Sequence, residues 1–238
     1  MGALHGAELP EGEAKARAVR DMFDTIAPRY DLVNRIITFG LDRRWRKAAV
    51  ESLSLPAGSR VLDVACGTGD LCIELSSRAH QAVGIDLSIG MISHARTAAP
   101  LVQTDALEMP FPSASFDGAV SGFALRNFVA LDALFNELAR VVRPGGRISL
   151  LDVETPANPV LRAGHAVYFG HVVPRVGSLL SDRDAYRYLP RSVAYLPPAE
   201  TTLSLLLQAG FADARRRLLS GGITQLITAT RSPTGGVP

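Results

Sequence analysis

The sequence predicts an α/β fold: a doubly wound, mostly parallel sheet of seven strands, with a helical N-terminal cap and an inserted lid. Three observations carry this. A strand, glycine loop and helix run from Arg60 to Arg78, and the strand–helix alternation recurs from Ala82. The segment from about residue 156 to 198 breaks the alternation with many Pro, Gly and Tyr residues. The chain then ends in two strand-like runs joined through Gly221-Gly222, a hairpin that puts one antiparallel strand into an otherwise parallel sheet.

The elements follow in order. Residues 1–20 mix small, charged and Gly/Pro residues without an apolar stripe and read as a mobile tail. From 21 to 55, Phe23, Ile26, Leu32, Val33, Ile36, Ile37, Leu41 and Trp45 suggest short helices with one buried face, broken near Pro28 and Gly40: the cap. The core, 56–155, opens with strand Val61–Ala65 and helix Asp70–Arg78. It continues with strand Ala82–Asp86, helix Ser88–Ala98, strand Leu101–Gln103 and strand Phe116–Ser121. A helix carrying Leu131, Leu134, Phe135, Leu138, Val141 and Val142 stops at Arg143-Pro144-Gly145-Gly146, and strand Arg147–Val153 follows. After the lid, helix Glu200–Ala209 and strands Ala214–Leu219 and Ile223–Ala229 complete the 21–231 domain, with 232–238 a second tail.

At 238 residues the chain supplies one core, and 47% apolar against 20% charged residues is globular. A net charge of +2 gives no electrostatic case for nucleic acid, and Arg215-Arg216-Arg217 reads as a solvated sheet edge. The two cysteines, Cys66 and Cys72, have neither disulfide nor metal-site spacing. No charged start precedes an apolar stretch and no run is long enough to span a bilayer, so residence in the cytoplasm is the expectation.

The chemistry gathers at strand ends. In Asp63-Val64-Ala65-Cys66-Gly67-Thr68-Gly69-Asp70, Gly67 and Gly69 let the backbone turn sharply against a ligand. The third glycine of a dinucleotide loop would fall at Cys72, and the helix opens with Asp70, so a pyrophosphate is disfavoured. The amino-acid end of S-adenosylmethionine fits better. Its ammonium can pair with Asp63, and its carboxylate can meet loop N–H groups or the Thr68 hydroxyl. Asp86, about twenty residues after the glycines, is placed for ribose hydroxyls. Asp105 and the Ala106 N–H are placed for the adenine edge, with Met109 and Phe111 expected over its face.

Longer motifs carry a resemblance. Met22 to Asn34 followed by Trp45-Arg46, Gly122-Phe123-Ala124-Leu125-Arg126-Asn127, and Arg143 to Arg147 resemble the menaquinone and ubiquinone biosynthesis C-methyltransferase family. His171 to Ser178 and Tyr186-Arg187-Tyr188-Leu189 extend the likeness through the lid; Ala124 and Asp152 stand where that family usually has glycine and glutamate. The resemblance implies a Rossmann-like class I S-adenosylmethionine-dependent methyltransferase that methylates a ring carbon of a demethylmenaquinol or related prenylated quinol. Arg126, just beyond the fourth strand, is expected to stabilise the developing phenolate, the alternative being a structural pair with an acid. Tyr30 is expected to hydrogen-bond the quinol oxygen or relay a proton, the alternative being a core aromatic; His171 is the runner-up base, the alternative being a structural histidine of the lid. No metal is called for. Peripheral membrane contact and a homodimer are both compatible with it. Another small aromatic or polyketide substrate would leave the cofactor half unchanged, and a non-catalytic cofactor-binding regulator would need neither Arg126 nor the cap.

Overall fold

The computed structural model describes residues 11–173, 175–176 and 192–233. The expected tails at 1–10 and 234–238, and most of the lid motifs beyond Val173, lie outside these residues.

Seven strands form one sheet: β1 (Arg60–Val64), β2 (Gln81–Asp86), β3 (Leu101–Gln103), β4 (Phe116–Gly122), β5 (Val142–Val153), β6 (Phe211–Leu219) and β7 (Thr224–Arg231). Their order is β3-β2-β1-β4-β5-β7-β6. All pairings are parallel except those of β7, which runs antiparallel to β5 and β6, as the terminal hairpin requires. Strand order reverses between β1 and β4, and the crevice beyond their carboxyl ends is where open α/β sheets take ligands.

Period-two alternation sorts β1 between two cores. Leu62 and Val64 join Leu134, Phe135 and Leu138 of α6 (Leu131–Val141) and Leu206 of α8 (Ala199–Gln208). Val61 packs instead with Val50 and Leu53 of α3 (Leu41–Leu53) and Leu71 and Leu75 of α4 (Asp70–Ser77). Asp63 shares Val61's parity, so its carboxylate is carried to the α3–α4 face.

The cap begins earlier than the sequence suggests. Helix α1 (Gly12–Ile26) takes in residues 12–20, which were expected in the tail. Its inward stripe is Lys15, Val19, Met22 and Ile26, and the first of these is a lysine whose stem packs while its Nζ donates to the Phe128 carbonyl at 2.8 Å. A 3-10 turn at Ala27–Arg29, holding Pro28, separates α1 from α2 (Tyr30–Ile37), and Gly40 with φ 72° caps α3. Both expected breaks are present. Leu32 and Ile36, expected on the buried face, are instead 56% and 41% exposed.

Two further expectations change. The helix expected over Ser88–Ala98 is only α5 (Ile89–Ser93), because the chain turns back so that the Arg96 N–H reaches the Thr68 carbonyl at 3.0 Å. Strand β5 starts at Val142 opposite Phe116, Arg143–Gly146 bulges out of the ladder, and the register resumes at Arg147 opposite Gly118. The lid contains α7 (Pro159–Val167), capped by the Asn158 side chain, which accepts from the Val160 and Leu161 N–H groups. It widens into a π turn at Tyr168–Val172, and the Tyr168 hydroxyl donates to the Ile37 carbonyl at 2.8 Å, fastening lid to cap.

Candidate active site

Two adjoining cavities open at the carboxyl end of the sheet. The first is lined from three strand ends in succession: Asp63, Ala65, Gly67 and Thr68 after β1, Asp86, Leu87 and Ser88 after β2, and Asp105, Ala106 and Leu107 after β3. The second, of about 350 Å³, lies between cap and lid and is walled by apolar side chains including Ile37, Phe39, Trp45, Leu161 and Phe169. Tyr30 and Phe123 line both.

Asp63 is fully buried. Its Oδ2 accepts from the Cys72 thiol at 3.3 Å, whereas its Oδ1 has no partner among the described residues. Burial pushes this carboxyl up to about 7, partly offset by the Cys72 bond and by Arg46. A buried, orphaned carboxylate oxygen bordering a cavity is what an incoming ammonium would satisfy. Gly67, at φ 56°, brings the loop backbone to the same cavity; a Cβ there would stand 2.9 Å from the Met91 Cε.

Asp86 spends one face of its carboxylate on the fold. Its Oδ2 accepts from the Gly67 N–H at 2.7 Å and its Oδ1 from the Ser88 N–H at 2.8 Å, locking the first glycine loop to the second strand end. Burial raises its pKa against these two bonds, and each oxygen keeps a further lone pair for a ligand hydroxyl. Asp105 likewise accepts from the Leu107 N–H at 2.9 Å, leaving Ala106 and Leu107 against the cavity.

Several expected residues stand elsewhere. Thr68 reaches the cavity, but its hydroxyl donates to Asp31 Oδ1 at 2.5 Å and is turned toward α2. Gly69, at φ 87°, serves the turn behind the loop and does not line the cavity; a Cβ there would lie 2.6 Å from a Thr97 methyl carbon. Met109 and Phe111 belong to the core cluster rather than to an adenine face, Phe111 meeting Phe116 edge-on at 5.0 Å. Leu87, Met91 and Leu107 supply apolar walls in their place.

His171 lies outside both cavities. It is exposed on the π turn, its carbonyl accepting from Arg175 Nη1 at 2.7 Å. Helical geometry turns a residue six positions on by about 240°, so the lid histidine facing the apolar cavity is His165. The sequence reading missed it, although Leu161, His165 and Tyr168 form a stripe at helical spacing.

Arg126, on the short helical turn after β4, lines the apolar cavity. It is anchored through Nη1, which donates to Asp152 Oδ1 at 2.5 Å and to the Phe123 carbonyl at 2.7 Å, and through Nε, which donates to Ser192 Oγ at 3.0 Å. Both members of the Arg126–Asp152 pair are buried. Tyr30 packs edge-on against Phe23 at 5.9 Å. Burial is the main reason its pKa is raised, so the phenol stays protonated and acts as a donor.

Two further residues belong to the site. Arg46 of α3 borders the first cavity, as Arg20 does, with its guanidinium bound to Asp42 and, at 3.2 Å, to Asp70, and a guanidinium is a planar fork suited to a ligand carboxylate. Phe123, at φ 62°, is a non-glycine residue in the left-handed region. Its N–H donates to the Leu151 carbonyl at 2.6 Å, and its ring, held edge-on by Trp45 at 6.1 Å, partitions the cavities.

The ubiE/COQ5 methyltransferase family matches residues 11–231. The chain is 41% identical over 228 residues to a ubiquinone/menaquinone biosynthesis C-methyltransferase UbiE of Syntrophotalea carbinolica, covering 91% of this chain and 95% of that one. It is 43% identical over 231 residues to a demethylmenaquinone methyltransferase of Deinococcus radiodurans, covering 93% and 96%. Among solved structures, a possible histamine N-methyltransferase of Thermotoga maritima, described as S-adenosylmethionine-dependent, superposes with a TM-score of 0.64 at 18% identity, covering 90% of this chain and 99% of that one. A phosphoethanolamine N-methyltransferase 2 of Haemonchus contortus, solved with S-adenosylhomocysteine, gives 0.60 at 16% identity, covering 79% and 52%.

Proposed function

Because the chain belongs to the ubiE/COQ5 methyltransferase family, we propose that it methylates a ring carbon of a prenylated quinol, with a demethylmenaquinol the preferred substrate and menaquinol the product. One observation carries the reading: a polar cavity holding an orphaned carboxylate adjoins a larger apolar one, and Tyr30 and Phe123 are walls of both.

When bound in the polar cavity, S-adenosylmethionine supplies a sulfonium methyl that needs no further activation. Asp63 pairs with the ammonium, and Arg46 with the Gly67 loop meets the carboxylate. Asp86 receives the ribose hydroxyls, and Asp105 with Ala106 borders the adenine. The chain's own work on the second substrate is alignment and charge. A ring carbon beside a phenolic oxygen becomes nucleophilic as that oxygen gives up its proton, so stabilising negative charge there speeds the attack. Tyr30, a protonated donor, serves that oxygen. Arg126 presents a fixed positive charge at the apolar cavity, its orientation set by Asp152, Ser192 and the Phe123 carbonyl, so little reorganisation is needed as charge develops.

The mouth of the apolar cavity is rimmed by exposed apolar side chains. Phe39 and Val160 line it and are each 78% exposed, and Leu161 is 46% exposed. No helix among the described residues is long and apolar enough to cross a membrane. A rim continuous with a greasy cavity fits a lipid surface from which a prenyl tail is drawn, which makes peripheral docking our reading of how substrate arrives.

Incubating the protein with S-adenosylmethionine and a panel of demethylated naphthoquinols and benzoquinols, followed by mass spectrometry of the lipid products, tests the proposal. One methyl added to a ring carbon of the demethylmenaquinol is expected. Cofactor binding without methylation of any quinol would overturn it.

A further inference from the structure

Two of the residues lining the apolar cavity carry a buried polar atom with no partner among the described residues, His165 Nε2 and Thr224 Oγ1. Both are shut away from solvent, a costly arrangement unless something completes them. Neither residue lines the cofactor cavity, whereas Tyr30 and Phe123 line both. Thr224 is fully buried at the start of β7, in register with Val153 of β5, and its hydroxyl is therefore held by the sheet. His165 is held by the lid. Its imidazole stacks on Phe169 at 4.2 Å with the rings 31° apart, and one turn further on the Tyr168 hydroxyl ties the helix to the cap.

A para-quinol presents one hydroxyl beside the carbon that accepts the methyl and a second across the ring. Tyr30 and Arg126 serve the first. We infer that His165 and Thr224 form a second polar anchor, which binds the far ring hydroxyl and so fixes which ring carbon faces the cofactor. The inference rests on the quinol reading above and names the part of the substrate that each end of the cavity recognises. Burial lowers the basicity of His165, so its imidazole is neutral in this setting and exchanges an ordinary hydrogen bond with a phenol. Thr224 can donate to the same oxygen or accept from it.

Two substrates separate this role from general packing. One is the prenylated demethylnaphthoquinol; the other is 3-prenyl-1-naphthol, which keeps the hydroxyl beside the reacting carbon and lacks the far one. His165→Phe keeps a ring on Phe169 and removes the nitrogen. It should raise KM for the quinol about tenfold, with kcat changed less than about twofold, and leave KM for the naphthol unchanged. Thr224→Val, nearly isosteric in the strand, should act in the same direction, and His165→Gln should recover part of the loss. The anchor is overturned if both variants leave quinol KM at the wild-type value. It is equally overturned if they raise KM for quinol and naphthol alike, which would mark them as packing residues. Failure of the wild type to methylate either compound would overturn the quinol reading itself, and the anchor with it.

Discussion

Asp63 sets stability against function, and substituting it should separate the two. The folded carboxyl holds its proton up to about pH 7, whereas its ordinary pKa is 3.8. Folding without cofactor therefore takes up a proton between these values, and this group disfavours the empty fold increasingly as pH rises from about 4 to 7. At about 1.36 kcal/mol per pKa unit, the full cost above pH 7 is roughly 4 kcal/mol. Asp63→Asn removes that cost but weakens the contact with Cys72, so a net gain of about 1–3 kcal/mol is expected for the cofactor-free protein at pH 8. The same variant loses the ammonium's partner and should bind S-adenosylmethionine about 2–5 kcal/mol more weakly, thirtyfold or more. Wild-type affinity should also have an acid limb. From pH 6.5 to 5.5 the ionised fraction of Asp63 falls from about a quarter to about one thirtieth while the ligand's ammonium stays protonated, so affinity drops about eightfold. Titration calorimetry across that window, with thermal unfolding at pH 8, measures all three effects. A pH-independent wild-type affinity, or an Asn variant that binds as tightly as wild type, would refute the reasoning.

Removing Arg126 alone leaves Asp152 buried and unpaired, at a cost of about 3–5 kcal/mol in stability. The informative variant is therefore Arg126→Met with Asp152→Asn, which should fold, keep cofactor affinity within about twofold and lose at least about a hundredfold in kcat; wild-type turnover would make the pair structural. Asp86→Ala frees the Gly67 and Ser88 N–H groups as well as the ribose contacts, so cofactor affinity should fall by more than about 2 kcal/mol. Calorimetry showing no change would exclude Asp86 from the site. Phe39→Ser should reduce co-sedimentation with anionic phospholipid vesicles severalfold, a larger drop than it causes in turnover of a short-chain quinol in detergent. If instead sedimentation velocity shows the wild type as a dimer and the variant as a monomer, the rim is a subunit interface.

The parallel core was legible because each of its first strands is a short apolar run that ends in, or is followed within a few residues by, a glycine or an acid, a pattern that elementary geometry ties to a ligand crevice. Helix α1 was not legible, since its buried stripe opens with a lysine whose role depends on the Phe128 carbonyl and the Tyr195 ring, 113 and 180 positions away. That Asp63 and Asp86 stand at strand ends over one cavity was readable from position alone. What Asp86 and Thr68 do with their oxygens was not, because Gly67 and Asp31 reach them only in the folded chain. His171 drew attention through a motif and His165 did not, although helix phase, which a Pro-rich lid obscures, decides which of them faces the cavity. Arg46 was visible as part of a signature, but its place beside Asp70 depends on how α3 crosses α4.

The borders of the sheet bear on how the protein keeps company. One border is β3, only three residues long; the other is β6, where Arg215, Arg216 and Arg217 are all exposed. A short strand offers little backbone to a neighbour, and a row of like charges repels a second copy of itself. Neither border is a template for growth of the sheet by another chain. Crowding should therefore leave the molecule resistant to fibrillar aggregation.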